Sequence, residues 1–202
     1  MTDRKTRIST ARDALSQRLG FPEFLAKLSP KDRTNIERRI ELLESEPVPH
    51  RATLWRRLAC TLAALAPQNV KCIGKQTLQF YIADGKYRMQ VFALEDLQDG
   101  NFTVYCPGGV DEAIELGLLV MAESEVPGYL LPSSEEPLQI ELLSGASNAA
   151  AHYKDMVGWN RKAIQITLPP FASPAQIETA ELLCAVAAQH FAPAASTTVA
   201  TK

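Results

Sequence analysis

The stretch Thr77-Leu78-Gln79-Phe80-Tyr81-Ile82-Ala83-Asp84-Gly85-Lys86-Tyr87-Arg88-Met89-Gln90-Val91 decides how the chain is read. Two alternating runs flank Asp84-Gly85, a dipeptide that suits a tight hairpin because both central positions of such a turn adopt positive φ. With Asp84-Gly85 as the loop, Ile82 faces Tyr87, Phe80 faces Met89 and Leu78 faces Val91. The opposite face collects Ala83 with Lys86, Tyr81 with Arg88, Gln79 with Gln90 and Thr77 with Phe92. This register separates an apolar face from a mostly polar one, as a half-buried antiparallel pair requires, and a slip of one residue destroys the separation. The sequence therefore predicts that Phe80 and Met89 are buried neighbours.

Working outward, Asp99-Gly100 offers a second turn into 101–106. A two-residue loop there would set Glu95 against Val104 on the apolar face, so a longer loop spanning 95–100 is preferred. Residues 70–73 add a short strand. The middle of the chain thus reads as an antiparallel β-meander of three or four strands.

The N-terminal quarter reads as helical. Thr10 caps a helix running to about Arg18, with Gly20 as its stop, and 22–28 forms a short helical segment. Ser29-Pro30 places a capping residue before a proline at the first helical position. Ile36, Ile40 and Leu43 then recur at helical spacing until Pro47 and Pro49. A further helix carries Leu54, Leu58, Leu62 and Leu65, with Arg51, Arg56 and Arg57 near its start, and Pro67 ends it.

After Cys106-Pro107-Gly108-Gly109 a helix over 110–119 is expected, with Asp111, Glu112 and Glu115 suited to its first turns. Val126-Pro127-Gly128 and 131–134 punctuate a loop. A strand over 138–143, a short helix over 147–156 and an alternating strand over 162–168 follow. Ser173-Pro174-Ala175-Gln176 is a capping box, and Ile177, Ala180, Cys184, Ala187 and Phe191 form the stripe of its helix. The fold class is α+β: N-terminal helices, a central antiparallel meander and a C-terminal mixed α/β portion on a shared core. Residues 1–67 are the helical N-terminal region, 68–192 the α+β body with a candidate lobe boundary near 127–137, and 193–202 a disordered tail.

Composition narrows the function classes. The 202 residues carry 21 Lys and Arg against 23 Asp and Glu, a net charge of −2, which excludes a uniformly basic nucleic-acid binder and a strongly acidic disordered chain. Apolar runs fall short of the ~18 residues a spanning helix needs, and no apolar segment follows the N-terminus, so a cytoplasmic protein without membrane contact is expected. The cysteines Cys60, Cys72, Cys106 and Cys184 include no close pair of the kind that holds zinc, and His50, His152 and His190 are scattered. No metal, no cofactor and reduced thiols are expected. Charge is uneven along the chain: residues 1–57 hold 13 basic against 8 acidic side chains, and residues 58–202 hold 8 against 15. The basic part could meet an acidic partner, but mutual attraction of the two parts within one fold is the preferred reading.

Four places could carry function. His152 and Asp155 sit three apart on an expected helix, where a carboxylate can orient an imidazole, and Trp159 and Arg161 could frame a ligand by stacking and charge. These four are the candidate ligand residues, although a helix end and turn facing water explains them more plainly. Cys106 stands where a strand hands over to a helix, a setting that can stabilise a thiolate, but Asp111 and Glu112 oppose that and a buried core thiol is the simpler account. Gln79, Tyr81, Lys86, Arg88 and Gln90, with Tyr105, could form a stacking platform for single-stranded nucleic acid or simply a solvated sheet face. Arg51, Trp55, Arg56 and Arg57 could touch phosphate, yet the connection from Glu46 to Arg51 is long for a helix-turn-helix. No acid, base and nucleophile stand together, so catalytic residues stay unknown and whether the chain is an enzyme stays open. The leading reading is a non-catalytic binding or adaptor protein, with a protein partner or a second copy of the chain. The alternatives are a small-molecule binder or enzyme using residues 152–162, and a nucleic-acid-associated protein using the basic helices.

Overall fold

The computed structural model describes residues 4–48, 50–66, 69–73, 77–84, 87–107, 109–121, 129–132, 136, 138–143 and 163–191. Four helices come first: α1 (Arg4–Ser16), α2 (Phe21–Ala26), α3 (Pro30–Ser45) and α4 (His50–Leu65). Then follow β1 (Asn69–Ile73), β2 (Thr77–Asp84), β3 (Tyr87–Asp96), β4 (Phe102–Pro107), α5 (Val110–Glu115), β5 (Leu119–Met121), β6 (Tyr129–Pro132), β7 (Gln139–Leu143), β8 (Ala163–Leu168) and α6 (Pro174–Phe191). The fold is α+β, with all eight strands among the described residues in one sheet of order β1-β2-β3-β4-β8-β7-β6-β5 and every described pairing antiparallel. Among the described residues no helix is long and apolar enough to cross a membrane.

Local chemistry explains most boundaries. The Ser29 hydroxyl accepts from the Asp32 N–H at 3.1 Å and Pro30 opens α3. At α6 the Ser173 hydroxyl accepts from the Gln176 N–H (3.1 Å) while Gln176 Oε1 accepts from the Ser173 N–H (2.9 Å), a reciprocal capping box. Gly117, with φ +65°, ends α5 in the left-handed conformation that L side chains avoid. The helix is therefore shorter than the expected 110–119, and Leu119 begins a strand instead. α1 also departs from expectation. It starts well before Thr10, whose hydroxyl donates back to the Thr6 carbonyl at 2.9 Å from within the helix. Ile8, Ala11 and Leu15 supply the helical spacing and pack on a satellite core with Leu116, Ala185 and Val186.

The hairpin forms, but its register differs from expectation. Asp84 pairs with Tyr87 and Ile82 with Met89, so Asp84 belongs to the ladder rather than the loop. A bulge then intervenes, after which Phe80 pairs with Phe92 and Leu78 with Leu94. Phe80 is thus opposite Phe92, not Met89. The bulge has a physical reason. Val91 and Phe92 are adjacent and both apolar, and an extra residue on one strand lets both enter the main core, where each is buried. Beyond it Phe92 and Leu94 occupy the core face, whereas an unbroken register would have put them on the polar one.

β3 continues to Asp96 and β4 begins at Phe102, so the loop is shorter than 95–100. Glu95 lies in the ladder opposite Thr103, clear of the apolar face. The core face of the sheet (Leu78, Phe80, Phe92, Leu94, Phe102, Val104, Cys106, Ile140, Ile164, Ile166, Leu168) packs in one cluster with Ile36, Ile40 and Leu43 of α3, the Leu54–Ala63 part of α4 and Ala180, Leu183, Cys184 and Ala187 of α6. Ala93, Tyr105 and Leu143 form a small second cluster.

Ion pairs join the basic beginning of the chain to its acidic remainder. Arg7–Glu115, Arg18–Glu181, Arg39–Asp96, Arg51–Asp96 and Arg57–Glu181 all cross from residues 1–57 to residues 58–202. Part of the charge asymmetry of the sequence is therefore spent inside the molecule.

Candidate functional site

A cavity of about 530 Å³ opens where α1, α4 and α6 meet. The end of α1 contributes Arg12, Leu15 and Ser16, and Arg18 follows just beyond it. α4 contributes Arg57, and α6 contributes Ala175, Glu178, Thr179, Glu181 and Leu182. Helical spacing assembles the set. Glu178, Glu181 and Leu182 lie three and four residues apart and so share a face of α6.

Glu181 organises the site. It is buried, and its carboxylate accepts four hydrogen bonds: from Arg57 Nε (3.0 Å) and Nη2 (2.7 Å), from Arg18 Nη1 (3.1 Å) and from the Thr61 hydroxyl (2.7 Å). Arg57 and Thr61 reach the same carboxylate because they lie one turn apart on α4. The planar guanidinium of Arg57 meets it through two parallel bonds, which fixes orientation as well as distance. Those bonds raise the Arg57 pKa above its ordinary value, against a smaller opposing effect of burial, and the charges of Glu181 and Glu178 add to the rise. Both guanidinium groups keep further N–H donors. Arg12 makes no ion pair among the described residues. The lining thus holds three cations against two carboxylates, with Leu15 and Leu182 as apolar walls. Charge and hydrogen bonding are what these side chains offer a ligand.

A second charged cluster is packed solid. Asp96, 2% exposed, pairs with Arg39 and accepts, at 2.5 Å, from Arg51 Nη2, while Arg51 also pairs with Glu46. The Arg51 guanidinium lies 5.2 Å from the centre of the Phe102 ring. Burial, partly opposed by Glu46 and reinforced by Arg51, lowers the pKa of Arg39. This cluster fastens α3 and α4 to the end of β3.

The residues singled out in the sequence fare differently. His152, Asp155, Trp159 and Arg161 lie outside the described residues, as do the expected 147–156 helix and the 193–202 tail. Cys106 is fully buried, with its Sγ 3.4 Å from that of Cys184. The Arg51–Arg57 cluster is turned inward. Trp55 and Arg51 are buried, Arg56 pairs with Glu44 and lies over the Phe21 ring, and Arg57 holds Glu181. On the sheet, the Tyr81 hydroxyl donates to Gln79 Oε1 at 2.6 Å and that of Tyr105 to Glu95 Oε2 at 3.5 Å. Among the described residues no group of three or more His, Cys, Asp or Glu is arranged to hold a metal ion.

Sequence reasoning missed Arg12, Arg18 and Glu181. One signal was present: Glu178 and Glu181 are the only acidic side chains in the eighteen residues of α6, and an acid inside an apolar helix needs a partner. Compared with known proteins, the chain matches no family model, no curated protein and no solved structure.

Proposed function

We propose that the chain is a non-catalytic binding protein that takes a small anionic molecule into the cavity between α1, α4 and α6. The observation that carries this reading is the pair of guanidinium groups held in place by buried Glu181, with Arg12 beside them. Pre-oriented donors lower the ordering cost of binding, and a net positive lining with apolar walls suits a carboxylate or phosphate on a compact organic body. The three unpaired cysteines among the described residues support a reducing, cytoplasmic setting.

Calorimetric titration with inorganic phosphate, citrate and a nucleoside monophosphate tests the proposal. One or more should bind saturably, and Arg12→Ala should weaken that binding about tenfold, close to 1.4 kcal/mol, while leaving Tm within about 1 °C. Absence of binding to all three probes, or equal affinity in Arg12→Ala, would overturn it. A separate ligand site at His152, Asp155, Trp159 and Arg161 rests on the sequence alone. Arg161→Ala should abolish any binding located there without changing Tm. Retention of all measured binding would remove that site from consideration.

A further inference from the structure

We propose that Cys106 and Cys184 are an oxidisable pair that a hydroperoxide converts to an intramolecular disulfide, tying the middle of the sheet to α6. The two sulfurs lie 3.4 Å apart and both residues are buried. The approach has a backbone cause. Gly109 lies three residues after Cys106, and Ala187 lies three residues after Cys184. A Cβ placed on Gly109 would come within 2.5 Å of the Ala187 Cα, so the glycine allows α6 to settle against the end of β4 and brings the thiols together. A disulfide needs about 2.05 Å between sulfurs, which leaves roughly 1.4 Å to be closed by side-chain rotation and a small shift of α6. Cys60 is buried elsewhere, as a free cysteine.

The reaction balances with the peroxide as oxidant. One thiol loses its proton, and its sulfur attacks the peroxide O–O bond, giving a sulfenic acid and, from hydrogen peroxide, water. The second sulfur then attacks the sulfenic sulfur and expels a second water, so two thiols lose two hydrogens and two electrons in all. The contact with Cys106, and burial after it, hold the Cys184 proton tightly. The reaction must therefore wait for α6 to open from the sheet, and it runs at least about a hundredfold slower than with a free cysteine.

Peptide mapping of the full-length chain after hydrogen peroxide treatment tests this, because trypsin leaves each cysteine in its own peptide: 58–71, 72–75, 89–154 and 163–202. The expected product joins 89–154 to 163–202 at a mass two hydrogens below their sum. The oxidised protein should melt at least about 5 °C higher than the reduced one. The rise should vanish on reduction and be absent in Cys106→Ala and in Cys184→Ala. Recovery of all four cysteines unlinked, or linkage through Cys60 or Cys72 instead, would overturn the proposal. The mapping uses the wild-type chain, so it decides the matter even if either variant fails to fold.

Discussion

Arg57 and Glu181 meet through two parallel hydrogen bonds, Nε to Oε1 at 3.0 Å and Nη2 to Oε2 at 2.7 Å, across 124 residues of sequence. The carboxylate is buried while the guanidinium keeps about 29% of its side-chain surface, so water screens part of the attraction. Glu181→Gln should cost about 2 kcal/mol in urea unfolding, because one acceptor oxygen is replaced by an amide facing guanidinium donors. The double variant with Arg57→Ala should lose clearly less than the sum of the two single losses. Strict additivity would show that the pair does not contribute to stability.

Asp96 presents the fully buried case. Asp96→Asn leaves the partly buried Arg39 and the buried Arg51 without their common counter-charge, and should cost about 3 kcal/mol. Glu44→Gln, which removes the half-exposed partner of Arg56, should cost under about 1 kcal/mol. Adding salt should shrink only the second difference, since buried pairs are poorly screened. Equal costs for the two would contradict this account.

Two glycines separate backbone strain from collision. Gly100 has φ +88° and no atom closer than 4.0 Å to an added Cβ, whereas Gly109 has φ +74° and would meet the Ala187 backbone. Gly100→Ala should cost about 1 kcal/mol, the strain of a left-handed alanine. Gly109→Ala should cost about 2–4 kcal/mol, because a helix backbone cannot yield as a side-chain tip can. Chemical denaturation of the two variants gives the comparison directly.

Burial pushes the Cys60 thiol up to about 11, with Glu23 adding to the rise and Arg18 opposing it. Between pH 9 and 11 the native state keeps a proton that the unfolded chain releases. Stability from this group is therefore complete below pH 9 and falls as pH rises, by up to about 1.4 kcal/mol per unit for each such proton. Cys184 acts in the same direction. Unfolding curves of wild type and Cys60→Ala should converge across that window, and parallel curves would argue against a native-state thiol.

How far the fold could be read from sequence follows from the range of the forces involved. Ser29-Pro30 and Ser173-Pro174 set helix starts through bonds to residues three along, so both were legible. The strand over 163–168 was visible in its alternation. β6 was read as loop and β5 was missed behind a helix expected to reach Leu119, because three or four residues are too few to show a period and Pro132 ends β6. The hairpin turn was placed correctly to within two residues, but the bulge that buries Val91 beside Phe92 depends on the helices covering that face. The cavity was illegible for the same reason: Arg18, Arg57 and Glu181 share no local pattern, and only tertiary packing unites them. Uneven charge along the chain did foretell that the two parts attract, though not which side chains would meet.

The position of β8 bears on how the chain assembles as it is made. β8 pairs with β4 on one side and β7 on the other, so the last of the described strands in chain order is the one that joins β1–β4 to β5–β7. Until 163–168 leave the ribosome, β4 and β7 each present an unpaired edge, an invitation to pair with another chain. The contacts β8 then makes with β4 span some sixty residues, which slows the closing step. The chain emerges as two unfinished half-sheets, and the interval before they are joined is when holdase chaperones have most to protect.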